Sequence, residues 1–334
     1  MTNGDSMTNG ARWTIACLLG LGLVWGWGCG SPQVGDGKDG GVEDGGAADG
    51  GEAVDSALVH PDGGDAPTDG SVEPVVGVVS AGRDHTCLVE PTGEVACWGS
   101  NDQGQGDPPD GVFAWISAGG KYTCGVRSNG QVACWGLNDV GQCVTPAGAF
   151  TRVSAGFDHA CGLTDQGRAV CWGFDESGQA SPPAGQFTGL SAGGDFTCGH
   201  RPEGTVDCWG ANAFGQASPP ADLFGEVVTG WYHSCGLRLD GTVLCWGCAS
   251  PYENFGQCEP PTQTFVDLAA GAAHTCGRQA DGTVACWGHN DFGQSTAPAG
   301  AFVEISAGWR HSCGVRPGGA VECWGDDTFG QSTP

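Results

Sequence analysis

The chain has 334 residues, a formal charge of −26, 63 glycines and 19 prolines, a composition of turns and not of helices. With 12 basic against 38 acidic residues it lacks the clustered Lys and Arg that displace phosphate counterions, so nucleic acid is excluded as a partner. Nineteen cysteines suit an oxidising compartment, where evenly spaced pairs form a disulfide framework.

Behind Arg12 an apolar run over residues 13–28 is too short and glycine-rich to span a bilayer and has the size of a signal-peptide core. It stops at Cys29. The arrangement resembles a bacterial lipoprotein signal, in which the cysteine after a small residue, here Gly28, is acylated and becomes the mature N-terminus. Gly26 and the bulky Trp27 depart from that pattern, and a cleaved signal without lipid is the alternative. Residues 1–29 are thus expected to direct export to the bacterial cell envelope. By that resemblance Cys29 is expected to be the lipid attachment site of an outer-membrane lipoprotein that touches the membrane only through that anchor. Residues 30–74, with 11 acidic residues, one lysine and repeated Asp-Gly, cannot bury a core. They read as a disordered acidic tether that reaches on the order of 40 Å or more.

From Val75 a Cys-Trp-Gly signature recurs at Trp98, Trp135, Trp172, Trp209, Trp246, Trp287 and Trp324, at intervals of 37 residues with one of 41. A fixed period of this size marks units that bury their apolar faces only against their neighbours. Each copy offers three short strand candidates: an apolar run ending in Ser-Ala-Gly, a second at one cysteine and a third at the next. A polar loop to Gly-Gln and a proline-containing return follow. The four extra residues of the fifth copy fall in that loop.

The cysteines stand ten apart in every copy: Cys87/Cys97, Cys124/Cys134, Cys161/Cys171, Cys198/Cys208, Cys235/Cys245, Cys276/Cys286 and Cys313/Cys323. In an antiparallel hairpin opposed residues share a constant index sum, and each pair centres on a residue followed by glycine, as Thr92 is by Gly93. That is the chemistry of a three-residue loop with glycine at its left-handed position. The cysteines then face each other at a non-hydrogen-bonded pair, within disulfide range. Zinc is the competing reading, but its sites gather four ligands at short spacings and a hairpin supplies two. Cys248 and Cys258 flank the fifth-copy insertion and are expected to pair, which leaves Cys143 alone.

The run Ser-Ala-Gly-x-x-His followed by Gly-x-Val-x-Cys-Trp-Gly-x-Asn-x-x-Gly-Gln resembles the repeat of the regulator of chromosome condensation family over residues 75–334. The resemblance implies an all-β fold, a seven-bladed β-propeller with short three- to four-stranded blades. The short period is similar to that of bacterial members such as β-lactamase inhibitor protein II, and the cysteine pairs depart from both branches. Guanine nucleotide exchange is not carried over, because a uniform period leaves no room for the inserted wedge that exchange uses. The bacterial relatives imply protein binding across one face of the ring.

The histidine two residues before the first cysteine occurs in five copies (His85, His159, His233, His274, His311), with Tyr122 and Phe196 in the others. The position wants a flat, partly polar ring for packing or a backbone hydrogen bond, and not a metal ligand. Every copy keeps its tryptophan, which reads as core. Glycine follows the first cysteine in all copies but one, where Leu88 stands, and small beside large suggests packing between blades.

Two positions after Ala-Gly vary freely. From them come the candidate partner-binding residues Arg83, Lys121, Phe157, Trp231, Tyr232, Trp309 and Arg310, since exposed aromatics with Arg are what interface hot spots are made of. The loops between Trp-Gly and Gly-Gln, rich in Asn and Asp, are expected on the opposite face, where these side chains cap their own turns and weak calcium binding is the lesser reading. No nucleophile elbow or His-Glu-x-x-His is present. The sequence therefore reads as a non-enzymatic, surface-tethered, monomeric binding module for a protein or other macromolecule, with no cofactor and no metal implied. Two alternatives stay open: an exported hydrolase or lyase using a non-repeated cluster in the central channel, and a calcium-dependent adhesive protein.

Overall fold

The computed structural model describes residues 77–249 and 254–334; the expected signal sequence, Cys29 and the expected acidic tether lie outside them. Among the described residues are seven antiparallel sheets of three strands each, in the order of the chain, so that every sequence repeat is one blade. Blade one comprises Val78–Ala81, His85–Val89 and Val95–Gly99, and blade seven Glu304–Ala307, His311–Val315 and Val321–Gly325. Three strands is the lower end of what the repeat implied.

The hairpin arithmetic holds in every blade. Cys87 pairs with Cys97 and His85 with Gly99, and Gly93 in the turn has φ 81°. The hairpin bridges are Cys87–Cys97, Cys124–Cys134, Cys161–Cys171, Cys198–Cys208, Cys235–Cys245, Cys276–Cys286 and Cys313–Cys323, all across Cα separations of 4.0 to 4.1 Å. Cys248–Cys258, at the fifth-copy insertion, is bridged at 6.1 Å. The two ends of a hairpin bridge are not equivalent. The first cysteine is fully buried, whereas its partner on the outermost strand (Cys97, Cys134, Cys171, Cys208, Cys245, Cys286 or Cys323) is only half-buried at the margin of a core. The bridges therefore belong to the scaffold, each fastening an outer strand to the middle strand of its own blade. Each closes a short loop and stabilises by about 2–3 kcal/mol in the chain-entropy picture. Cys143 is free and half-buried; its thiol donates to the Leu137 carbonyl at 3.2 Å, and burial pushes its pKa up to about 11, which suppresses the thiolate.

The apolar core lies between blades. Cys87 and Val89 of blade one pack with Phe113, Ile116 and Trp135 of blade two, and the same set recurs as Cys235 and Leu237 with Phe265, Leu268 and Trp287. The glycine after the first cysteine makes room within its own blade, not between blades: a Cβ on Gly125 or Gly162 would stand 2.6 Å from the ring of Phe113 or Phe150. In blade one Leu88 occupies the glycine position and packs into the seam with blade seven.

Polar residues of the repeat tie each blade to the next. The carbonyl of the Gly-Gln glutamine accepts the indole N–H of the following blade's tryptophan, as in Trp135 to Gln105, Trp172 to Gln142 and Trp324 to Gln294, each at 2.9 Å. Ring closure uses the same bond, from Trp98 to Gln331 at 2.9 Å, together with Thr86 to Gln331 at 3.0 Å. The recurring histidines sit in the same seams, fully buried. Nε2 lies 2.7 to 2.8 Å from a hydroxyl of the next blade in His85–Thr123, His159–Thr197, His233–Thr275, His274–Ser312 and His311–Thr86. Thr123, Thr197, Ser312 and Thr86 spend their own proton on a glutamine carbonyl, so there the imidazole donates from Nε2. Among the described residues Nδ1 has no partner in any of the five rings. Where blade three has Ala160 and no hydroxyl, blade two carries Tyr122 in place of histidine, and its hydroxyl donates to the His159 carbonyl. Five histidines and Tyr122 thus match their polar group to what the next blade offers, whereas Phe196 faces a blade whose Ser234 hydroxyl bonds only the Gln216 carbonyl among these groups.

That pairing is testable. Ser312→Ala leaves the buried His274 N–H without an acceptor and is expected to cost about 1–3 kcal/mol in denaturant unfolding under non-reducing conditions. Adding His274→Tyr reproduces the Tyr122/Ala160 arrangement and should restore most of the loss. A double variant no more stable than the single one contradicts the tie.

Candidate functional site

The first variable residue after each Ala-Gly points to the ring axis, where seven bulky side chains have no room. Going round the ring the sequence solves this by alternation: Arg83, Gly120, Phe157, Gly194, Trp231, Ala272, Trp309. A Cβ on Gly194 would stand 2.6 Å from the Trp231 ring, and one on Gly120 3.0 Å from the Phe157 ring, so each small residue seats the next blade's aromatic. Backbone bonds run from blade to blade beneath them, among them Arg83 N–H to the Gly119 carbonyl at 3.0 Å and Trp309 N–H to that of Gly82 at 3.1 Å.

The four large side chains form a closed cluster. Phe157 meets Trp231 and Trp231 meets Trp309, each with ring centroids 5.1 Å apart. The Arg83 guanidinium lies 4.2 Å from the Trp309 ring and 5.7 Å from that of Phe157, which completes the circuit. All four are half-buried. They line, together with the Ala-Gly pairs of the innermost strands and Thr229-Gly230 of blade five, a cavity of about 100 Å³. Tyr232 adjoins Trp231 at 5.7 Å, and Arg310 stacks over Trp309 at 4.6 Å. Lys121 is not part of the group; it pairs with Asp102 at 2.8 Å on the periphery.

The loops between Trp-Gly and Gly-Gln are on this same face, which corrects the sequence expectation. His85 pairs with Gly99, so the exit of the third strand lies beside the turn that enters the second, and Ser100 N–H bonds the Asp84 carbonyl at 2.7 Å. Those loops add aromatics that the sequence reading missed: Phe214 contacts Tyr232 at 5.5 Å and Phe292 lies 4.8 Å from the Arg310 guanidinium. The residue before Gly-Gln is phenylalanine in blades four to seven (Phe214, Phe255, Phe292, Phe329) and not in the first three. The Asn and Asp side chains cap their turns as expected. Asn101, Asn138, Asp175, Asn290 and Asp327 each accept the backbone N–H five residues on, at 2.7 to 2.9 Å.

A second deviation from the repeat sits at the other end of the axis, at the start of the innermost strands. Equivalent positions there hold Val78, Trp115, Arg152, Gly189, Glu226, Asp267 and Glu304. Glu304 accepts Val79 N–H at 3.1 Å across the closing seam, Glu226 accepts Leu268 N–H at 3.2 Å, and Asp267 pairs with Arg278 at 3.3 Å. Burial raises Glu226 well above the carboxylate range and brings Glu304 to about 8, with the Asp267 charge adding to both.

These features define a seven-bladed β-propeller whose repeated polar residues serve its seams and whose departures from repetition gather at the two ends of the axis. The chain belongs to the regulator of chromosome condensation (RCC1) repeat family, with matches at residues 78–105, 116–142, 150–179, 187–216, 226–257, 265–294 and 302–331. Among solved structures it is similar to the CRINKLY WD40 ectodomain of the Arabidopsis thaliana receptor kinase ACR4, at 28% identity over 74% of this chain and 95% of that one, with a TM-score of 0.61. The ectodomain of the Physcomitrella patens receptor kinase CR4 matches at 27% identity over 74% of this chain and 72% of that one, with a TM-score of 0.65. Prp20p of Saccharomyces cerevisiae, at 16% identity, 71% and 81% coverage and a TM-score of 0.58, shares the fold. No curated protein shows significant sequence similarity to the chain.

The buried groups set a pH optimum for stability. Burial lowers the five seam histidines from 6.5 to about 3 (His85, His274) or about 4 (His159, His233, His311), so the stability they confer is complete above pH 6.5 and is lost as pH falls toward those values. Glu304, raised from 4.5 to about 8, acts the other way: its contribution is full below 4.5 and is lost as pH rises through 8. The melting temperature is expected to peak at about pH 7, and Glu304→Gln should shrink the alkaline limb, to which the raised Glu226 also contributes, while leaving the acid limb in place. A profile flat between about pH 4 and 9 contradicts this assignment of burial.

Proposed function

We propose that the protein is an exported, non-enzymatic binding module that recognises a protein through the face carrying Arg83, Phe157, Trp231, Tyr232, Trp309 and Arg310. One observation carries the reading. Blades two, four and six place Gly120, Gly194 and Ala272 at the axis, so the fold does not require aromatics there, yet Phe157, Trp231 and Trp309 converge and remain half-exposed. Rigid aromatics with Arg, at the centre of a broad face and ringed by polar groups, have the composition of an interface hot spot. The RCC1-type propeller is typically a protein-binding fold, and two of the similar structures are receptor ectodomains. Residues 1–29, with Cys29 as lipid anchor, and the acidic segment 30–74 supply the surface tether in this proposal, which places the propeller at the outer membrane of a bacterial envelope.

A hydrolytic reading draws on Glu226, Asp267 and Glu304, the non-repeated carboxylates that an active site near the axis would need. It is the weaker one, because each carboxylate already serves a backbone amide or an arginine.

The test is capture of the native partner by cross-linking on intact cells, comparing the natural protein with Trp231→Ala/Trp309→Ala. Capture should fall at least tenfold, since two hot-spot residues at about 2 kcal/mol or more each are removed. The melting temperature should shift by no more than a few degrees, because both side chains lie outside the blade-to-blade cores. Undiminished capture sinks the assignment of this face.

A further inference from the structure

The same face also indicates the chemistry of what it takes. Its aromatic rings already hold guanidinium groups: Trp309 carries Arg83 at 4.2 Å and Arg310 at 4.6 Å, and Phe292 carries Arg310 at 4.8 Å. Trp231, between Phe157 and Trp309, has no cation on it among the described residues, although it is the ring type that binds cations best. Next to these two rings in sequence stand carboxylates. Asp158 follows Phe157, and Asp195 follows Gly194, the residue over which Trp231 lies.

Neither carboxylate has an ion pair or a side-chain hydrogen bond among the described residues. Burial at the mouth raises both, and for Asp158 the neighbouring Asp195 charge raises it further against the opposing pull of Arg83. The repulsion that the Asp195 charge exerts on Asp158 is one that an added positive charge offsets. Elsewhere on the face Asp84 and Asp102 are neutralised by Arg83 and Lys121. Asp139, Glu176, Asp291 and Asp326 extend the acidic rim, and among the described residues the Lys and Arg on this side are Arg83, Lys121 and Arg310 alone.

We infer that Phe157, Trp231, Asp158 and Asp195 form an acceptor for an arginine or lysine side chain presented by a basic protein surface. The inference rests on the proposed binding face and names the class of partner that fits it: aromatic contact at the centre, positive charge seated against the rings and complementary to the acidic rim. The partner's cation sits over Trp231, on the side of the cluster away from the Arg83 and Arg310 guanidinium groups that already stack on Trp309. Such a contact weakens as salt rises, because the rim carboxylates are exposed.

The experiment titrates the full chain with acetyl-tetra-arginine amide by calorimetry, with acetyl-tetra-glutamine amide as the neutral probe. Because the protein is acidic throughout, the decisive comparison is between two double variants that remove equal charge: Asp158→Asn/Asp195→Asn at the mouth, and Glu90→Gln/Glu94→Gln on the hairpin turn of blade one. The mouth variant should weaken tetra-arginine binding by about tenfold and the hairpin variant by less than about twofold. Equal effects of the two variants, or tetra-glutamine binding as tightly as tetra-arginine, overturn the inference. If the tryptophan substitutions abolish capture of the native partner while Asp158→Asn/Asp195→Asn leaves both capture and tetra-arginine binding unchanged, the face stands and the cationic partner falls. Loss of tetra-arginine binding with capture intact in the tryptophan variant sinks the face and keeps the acceptor.

Discussion

One backbone carbonyl per repeat organises the ring. The Gly-Gln loop carries it out of its own blade and under the next, where it takes the tryptophan indole and, in most seams, a buried threonine or serine hydroxyl. Three short strands bury too little apolar surface to stand alone, so a blade is stable only through its two seams. The seams are therefore where the repeat is most uniform. The hydroxyl that donates to the carbonyl accepts from histidine, histidine is held neutral, and its ring edge lies against the glycine that lines the axis, as His159 lies against Gly156. Closure needs no exchanged strand, because Gln331 presents the same carbonyl to Trp98 and Thr86 that Gln105 presents to Trp135 and Thr123.

Much of this is legible in the sequence. The 37-residue period, the ten-residue cysteine spacing and the glycine after each centre define blade number, register and disulfides, because hairpin geometry is local arithmetic. The same arithmetic pairs His85 with Gly99 and so puts the Gly-Gln loops beside the Ala-Gly turns; assigning them to opposite faces leaves Phe214 and Phe292 out of the site. The histidine partners are also open to inference, since Thr or Ser follows in the next copy wherever histidine stands and alanine follows Tyr122. What single copies cannot show is convergence. The seven first variable residues are far apart in sequence and meet only at the axis, so the alternation of large and small acquires meaning once the ring is closed.

Scaffold and function separate along that line. His, Cys, Trp and Gly-Gln, the residues that look most chemical, are absorbed by the seams and hairpins. The residues that break the repeat lie at the two ends of the axis: an aromatic and arginine cluster on one face, and Arg152, Glu226, Asp267 and Glu304 at the other. Aromatic rings inclined to one another over glycine, with unneutralised carboxylates beside them, give the first of these a definite chemistry in a molecule otherwise governed by its own symmetry.

The claim on which everything rests is that the ring closes through the same carbonyl tie as every internal seam. Deleting residues 330–334 removes the acceptor of the half-buried Trp98 indole and of the buried Thr86 hydroxyl, at about 1–3 kcal/mol for the buried donor and less for the other. Equilibrium unfolding of the deletion variant with its disulfides intact should lose several kcal/mol, and the Trp98 emission should shift toward that of a solvated indole. A variant that unfolds at the denaturant concentration of the natural protein, with unchanged emission, contradicts the account.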